Sequence, residues 1–222
     1  MKIMMMCLDN FFFPLLLDTP VVRAVAKEAK YEETFQTYPW TRAYMMAQKN
    51  ENTIIYSISR TTEREKLFKW IGEIVPANNY LFTLKKRTDI KISKLDDAKK
   101  YMVGTVTADA GDMYLISKGF MVGKNIERVP RYTQNIMKVY FGRIDLFWSA
   151  DLVANFFIKK LGYNPLDFRR AYFLDEISKE GLYMAFSIKT HDDIVAEYKR
   201  ALEKIKKDGT YSRILRKYLD DL

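Results

Sequence analysis

Thr53-Ile54-Ile55-Tyr56-Ser57-Ile58-Ser59-Arg60-Thr61-Thr62-Glu63-Arg64 is the stretch on which the fold turns. Its first seven residues, rich in β-branched and aromatic side chains, read as a buried strand. Thr62-Glu63-Arg64-Glu65 then has the spacing of a capping box, which predicts a helix from Thr62 through Trp70. Two hydroxyls stand at the strand end, where two-residue alternation turns Ser57 and Ser59 the same way. Arg64 would follow in the first turn of that helix. Backbone N–H groups at a helix start attract anions, and a guanidinium grips a carboxylate through two parallel hydrogen bonds. Together these parts describe a carboxylate receptor. The same residues leave open a plainer reading, in which Arg64 pairs with Glu63 or Glu65 on the surface.

Outward from this stretch, strands and helices alternate. Residues 3–8 are a continuous apolar run, read as a buried first strand, and Asp9-Asn10-Phe11-Phe12-Phe13-Pro14 is an aromatic loop. Thr19-Pro20 starts a helix, as N-cap and first helical residue. Residues 33–38 alternate like a strand, Pro39-Trp40 ends it, and 41–49 read as a second helix. Such alternation argues for a parallel α/β sheet. After an extended stretch at 80–84 and a basic, polar segment at 85–94, a second α/β series begins. Helices are expected near 95–100, after Thr107, at 134–142 and at 150–160, with strands at 101–106, 127–130 and 144–148. A strand at 182–188 and two helices, one opening at Asp192-Asp193 and one at 211–219, close the chain. Extended crossings near residues 80 and 175 predict two lobes: residues 1–82 and 176–222 form the first, 83–175 the second.

Composition bounds the function. The 222 residues are 48% hydrophobic and 14% aromatic, with only 9 Gly and 6 Pro, which suits one large domain or two small lobes. Net charge is +9, from 37 Lys and Arg against 28 Asp and Glu. The densest basic stretch runs from Lys199 to Lys217. Its apolar positions, Ile194, Val195, Tyr198, Ala201, Leu202 and Ile205, recur at helical spacing, leaving the cations on an outer face. That reads as a solvated helix face, and no zinc-finger spacing or RNA-binding motif argues for a nucleic-acid partner. Cys7 is the only cysteine and His191 the only histidine, so no internal disulfide or Cys cluster is built from them, and the single histidine argues against His-rich metal sites and against a Ser-His-Asp triad arising by accident. No cofactor and no metal are expected. The apolar N-terminus is cut by Asp9, Asn10 and Pro14, and 3–8 is too short to span a bilayer. If the protein is exported, its leader is expected to have been left out of this sequence.

The run Ser57, Ser59, Thr61 or Thr62, and Arg64 resembles the Ser-x-Ser-x-Thr-x-x-Arg hallmark of the amino-acid-type periplasmic solute-binding proteins of ABC importers, extracellular solute-binding protein family 3. Pro39-Trp40-Thr41-Arg42-Ala43, Gly142-Arg143-Ile144-Asp145 and Lys207-Asp208-Gly209-Thr210-Tyr211 continue the resemblance across nearly the whole chain. It implies the two-lobed type II fold, each lobe a mixed sheet flanked by helices, with a ligand cleft between the lobes. It also implies a monomer in the periplasm that captures a small polar, carboxylate-bearing solute and hands it to an ABC transporter permease. By the same resemblance Arg64 clamps the carboxylate, Phe12 stacks on the ligand, Asp9 is the nearby acid and Trp40 a pocket wall. Asp109, Trp148 and Asp151 would be the second lobe's contacts.

The match departs from the pattern in three places. Thr107-Ala108-Asp109-Ala110-Gly111-Asp112 stands where the family usually has Gly with Thr or Ser, and a carboxylate there repels an anionic ligand. The acid expected for a ligand ammonium falls by spacing on Ala150, with Asp151 one residue later. Only residues 15–18 separate the aromatic loop from the first helix, where a longer hairpin is usual. Two rival readings stand beside the binding protein: a dehydratase or lyase on the same fold, and the ligand-sensing domain of a receptor.

Overall fold

The computed structural model describes residues 2–8, 18–178 and 181–219. The chain runs through β1 (Lys2–Leu8), α1 (Asp18–Ala29), β2 (Glu32–Tyr38), α2 (Trp40–Lys49), β3 (Thr53–Ser59) and β4 (Phe68–Val75). It continues with β5 (Asn79–Leu84), a 3-10 turn at Leu95–Lys100, β6 (Val103–Val106), α3 (Ala110–Ser117), β7 (Ile126–Val129) and α4 (Tyr132–Tyr140). Then come β8 (Leu146–Ala150), α5 (Asp151–Lys160), β9 (Phe168–Phe173), β10 (Leu182–Ser187), α6 (Asp192–Lys207) and α7 (Thr210–Leu219).

Two compact units result, one from residues 1–76 with 180–222 and one from residues 77–179. β5 belongs wholly to the second, because its hydrogen bonds go to β8 and β9. Each unit is built on a five-stranded sheet, in the orders β2-β1-β3-β10-β4 and β7-β6-β8-β5-β9. The two sheets share a plan. In the first, β1 lies parallel to β2 and β3, and β10 runs antiparallel to β3 and β4. In the second, β6 lies parallel to β7 and β8, and β5 runs antiparallel to β8 and β9. Both sheets are therefore mixed.

This plan fixes where chemistry can be placed. From β1 the chain passes through α1 to one neighbour, β2, and then through α2 back across to the other, β3. The same reversal occurs around β6. At such a switch point the connections part, leaving a crevice beyond the carboxyl ends of the two central strands. Those ends are the segments after β1 and β3 in one unit, and after β6 and β8 in the other.

Sequence periodicity carries into packing. The apolar positions of α6 are all buried, as are Val21, Val22, Val25 and Ala26 of α1. The second unit has its own core, with Leu81, Leu115, Phe120, Leu146 and Trp148 at its centre. Each such side chain contributes about 1.5–3 kcal/mol when taken fully from water.

The helix expected from Thr62 through Trp70 does not form. Residues 61–67 make successive turns, with Arg64, Glu65 and Leu67 N–H groups donating to the carbonyls of Thr61, Thr62 and Arg64. Phe68–Val75 is instead β4, paired antiparallel with β10. Phe68, Trp70, Ile71, Ile74 and Val75 favour a pleated surface, and the partner strand β10, far along the chain, outweighs the local capping signal. β9 was likewise not expected as a strand. Arg169 and Arg170 break its alternation, which an edge position tolerates because only one side is paired. Thr19 lies inside α1, one residue past its start, with its hydroxyl 3.4 Å from the Tyr56 hydroxyl.

Candidate functional site

In the first unit the switch point is occupied by the turn after β3. Arg64 lies within that turn and is buried to 1% exposure. Its guanidinium donates to the Ser59 carbonyl at 3.1 Å. It also lies 5.3 Å from the ring centroids of both Trp40 and Tyr44, between two electron-rich aromatic faces. Pro39 ends β2 and its carbonyl accepts the Arg42 and Ala43 N–H groups, so Trp40 opens α2 and Tyr44 follows one turn later on the same side. Glu65 does not pair with Arg64. Arg60 takes it through two bonds of 2.8 and 2.6 Å on the surface. Glu63 is held below the usual carboxylate range by the Thr61 hydroxyl first, then by its own backbone N–H, with the charge of Arg64 adding.

The receptor therefore differs from the one expected. No helix start follows β3, so no helical amides or dipole assist Arg64. The two serines do not alternate either. Ser57 has φ of +60° and is skipped in the register, which passes from Met184 opposite Tyr56 to Tyr183 opposite Ile58. It is a bulge, and the period of two breaks there. Its hydroxyl is buried and has no hydrogen-bond partner among the described residues. Ser59, the last residue of β3, is half-buried.

In the second unit the corresponding segments are those after β6 and β8. Asp109 caps α3, accepting the Asp112 N–H at 2.7 Å and the Tyr132 hydroxyl at 2.8 Å. Asp112 is fully buried and takes the Arg128 guanidinium through contacts of 2.9 and 2.8 Å, with Thr105 and the Ala108 N–H on its remaining lone pairs. The hydrogen bond to Asp112, with the charges of Asp112 and Asp109 adding, pushes the Arg128 guanidinium above its ordinary pKa. Trp148, in the middle of β8, packs its indole on the backbone of Gly111. A Cβ on that residue would meet ring carbons at 2.1 to 2.5 Å, so only glycine fits. The Trp148 indole N–H is buried without a partner among the described residues. Asp151 opens α5, donates its N–H to the Asn78 carbonyl, and meets Arg170 at 3.1 Å.

Ser57, Ser59 and Arg64 thus lie in and after β3, with Trp40 from the start of α2 against Arg64, while Asp109, Trp148 and Asp151 belong to the other unit, after β6, within β8 and after β8. Asp9 and Phe12 lie outside the described residues. Sequence reasoning missed Tyr44, whose only signal was its place four residues after Trp40, and the Asp112–Arg128 pair, which no local spacing announces. Among the described residues no group of three or more His, Cys, Asp or Glu could hold a metal ion. Among them, too, no helix is long and apolar enough to cross a membrane.

Two mixed sheets on one strand plan, each flanked by helices, define the periplasmic-binding-protein-like fold. Residues 17–221 match the bacterial extracellular solute-binding proteins, family 3, and the chain belongs to that family. Over 206 residues it is 26% identical to the probable amino-acid-binding protein YxeM of Bacillus subtilis (strain 168), covering 92% of this chain and 75% of that protein. It is 22% identical to the L-cystine-binding protein TcyA of the same organism, covering 92% and 72%. An ancestral arginine-binding protein bound to arginine superposes with a TM-score of 0.82 at 18% identity, covering 98% of this chain and 97% of that one. A histidine kinase sensor domain with similarity to periplasmic binding proteins reaches 0.84 at 15% identity, covering 98% and 96%.

Proposed function

We propose that this solute-binding protein captures a small carboxylate-bearing solute, an amino acid or a close relative, outside the cytoplasm for uptake through an ABC transporter permease. One observation carries the reading: at the switch point of the first sheet, a buried Arg64 framed by Trp40 and Tyr44 stands beside a strained bulge whose Ser57 hydroxyl is buried without a partner. A strained, unsatisfied hydroxyl costs stability unless something bonds to it. The two aromatic faces favour a cation between them, and the planar fork of a guanidinium suits a two-point grip on a carboxylate. The amino-acid and cystine binding named for the relatives supports the same class of solute. Asp109, Trp148 and Asp151 are proposed as contacts from the second unit, with a ligand ammonium directed to the carboxylates.

The test is a thermal-denaturation screen against the amino acids and small organic acids. A solute at 100 times its Kd adds about 2.7 kcal/mol of stability. Arg64→Ala should then abolish the shift, since losing a desolvated charge-assisted pair costs about 2–5 kcal/mol of binding. An unchanged shift in that variant defeats the carboxylate grip. The sensor-domain likeness supports a second reading, in which the same units are the sensing part of a receptor. A permease and an ATPase encoded beside the gene favour transport; a kinase favours sensing.

A further inference from the structure

The first unit carries a second surface whose chemistry the solute site does not use. The outer face of α6 presents Lys199, Arg200, Lys204, Lys206 and Lys207, all exposed and opposite its buried stripe. α7 packs against α6 and α1 and adds exposed Arg213 and Arg216. α1 adds exposed Lys27, exposed Lys30 follows directly after it, and Glu28 of α1 pairs with Lys204 at 2.6 Å, which sets the last turn of α1 beside α6. The acids of α6 stand mainly at its start, where Asp192 pairs with Lys69, Asp193 meets His191 and Glu197 accepts the Tyr31 hydroxyl. Toward the cationic end, Glu28 is engaged by Lys204, Asp208 accepts the Thr210 N–H at 2.9 Å, and Glu203 stands among the lysines. Lys199, Arg200, Lys207 and Arg216 make no ion pair or hydrogen bond among the described residues.

What the face lacks narrows its partner. None of the large exposed apolar side chains of the described residues lies on α1, α6 or α7. Protein interfaces centre on apolar and aromatic anchors and are poor in lysine at their core. Sequence-tolerant nucleic-acid binding adds exposed aromatic platforms to its cations. A broad cationic face with neither feature suits a plane of anionic headgroups, where each Lys or Arg adds its own increment without a fitted pocket. We propose that the α1, α6 and α7 face docks the protein on the anionic lipid headgroups of a bilayer. The sequence alone reads these cations as a solvated face. Their gathering around the end of α6, from three packed helices, is what the tertiary structure adds. The proposal is independent of which solute is bound.

The experiment is co-sedimentation of the full chain with vesicles of equal parts phosphatidylglycerol and phosphatidylcholine, and with phosphatidylcholine alone. Binding is expected to the anionic vesicles only, and to fall at high salt as exposed charges are screened. Each cation near the surface contributes about five-fold, so K199E/R200E/K207E should weaken binding by at least about 100-fold. Single neutralisations, K207Q and R216Q, should each weaken it about five-fold, and they keep the test open if the triple variant fails to fold. The solute-induced thermal shift should be unchanged in every variant. Equal binding to both vesicle types overturns the proposal, as does anionic-vesicle binding that ignores these substitutions. Duplex DNA or an acidic protein bound through the same cations, with vesicles left unbound, also overturns it.

Discussion

Ser57 holds a left-handed backbone at φ +60°, a conformation that costs an L-residue roughly 1–2 kcal/mol and costs glycine almost nothing. Ser57→Gly should therefore raise the stability of the unliganded protein by about 1 kcal/mol, read from the urea midpoint at constant slope. The same change should weaken the solute-induced thermal shift, because the buried hydroxyl is gone. A gain in stability with no loss of binding would make Ser57 a plain structural defect. Glu33 supplies a second test, in pH. Burial pushes its carboxyl above the ordinary range, and the opposing charge of Arg23, 3.8 Å away, does not fully compensate. A folded-state value above the unfolded one means that the native protein binds this proton more tightly. That advantage is present below the unfolded pKa and is lost as pH rises through the folded one. Glu33→Gln should thus stabilise the protein at neutral pH and be nearly neutral below about pH 4, measured by urea unfolding at both values.

At the level of elements, local signal and long-range pairing compete openly. The capping-box spacing at Thr62 is real, yet residues 61–67 turn and Phe68 begins a strand, because β10 offers that strand a ladder and its apolar face a core. Where the apolar period was long and unbroken, as in α6, the reading from sequence and the structure coincide. The start of α3 is the reverse case. Asp109 caps the helix from three residues before Asp112, a local contact, but Arg128, which answers the fully buried Asp112, lies on the next strand and could not be found from spacing. Removing one partner of a fully buried ion pair costs about 3–5 kcal/mol. Arg128 is about one-third exposed, so Asp112→Asn should cost less, about 2 kcal/mol, in urea unfolding. A cost near zero would show that Thr105 and the Ala108 N–H alone hold this helix start.

For the whole molecule, the second unit is one continuous stretch with its own sheet and core, whereas the first is closed by strand and helices from the chain's end. Residues 77–179 alone should therefore unfold cooperatively, with an enthalpy of about 60–80 kcal/mol by calorimetry. A broad, low-enthalpy transition would refute that autonomy. The sequence by itself determined the α/β class, most of the helices and the family, because apolar periodicity and a run such as Ser57 to Arg64 are local and survive without coordinates. Only the tertiary structure decided that β4 is a strand, that Ser57 is a bulge, and that Trp40 and Tyr44 frame Arg64. Each of these depends on a partner distant in the chain or on a backbone angle, and neither leaves a mark in residue spacing.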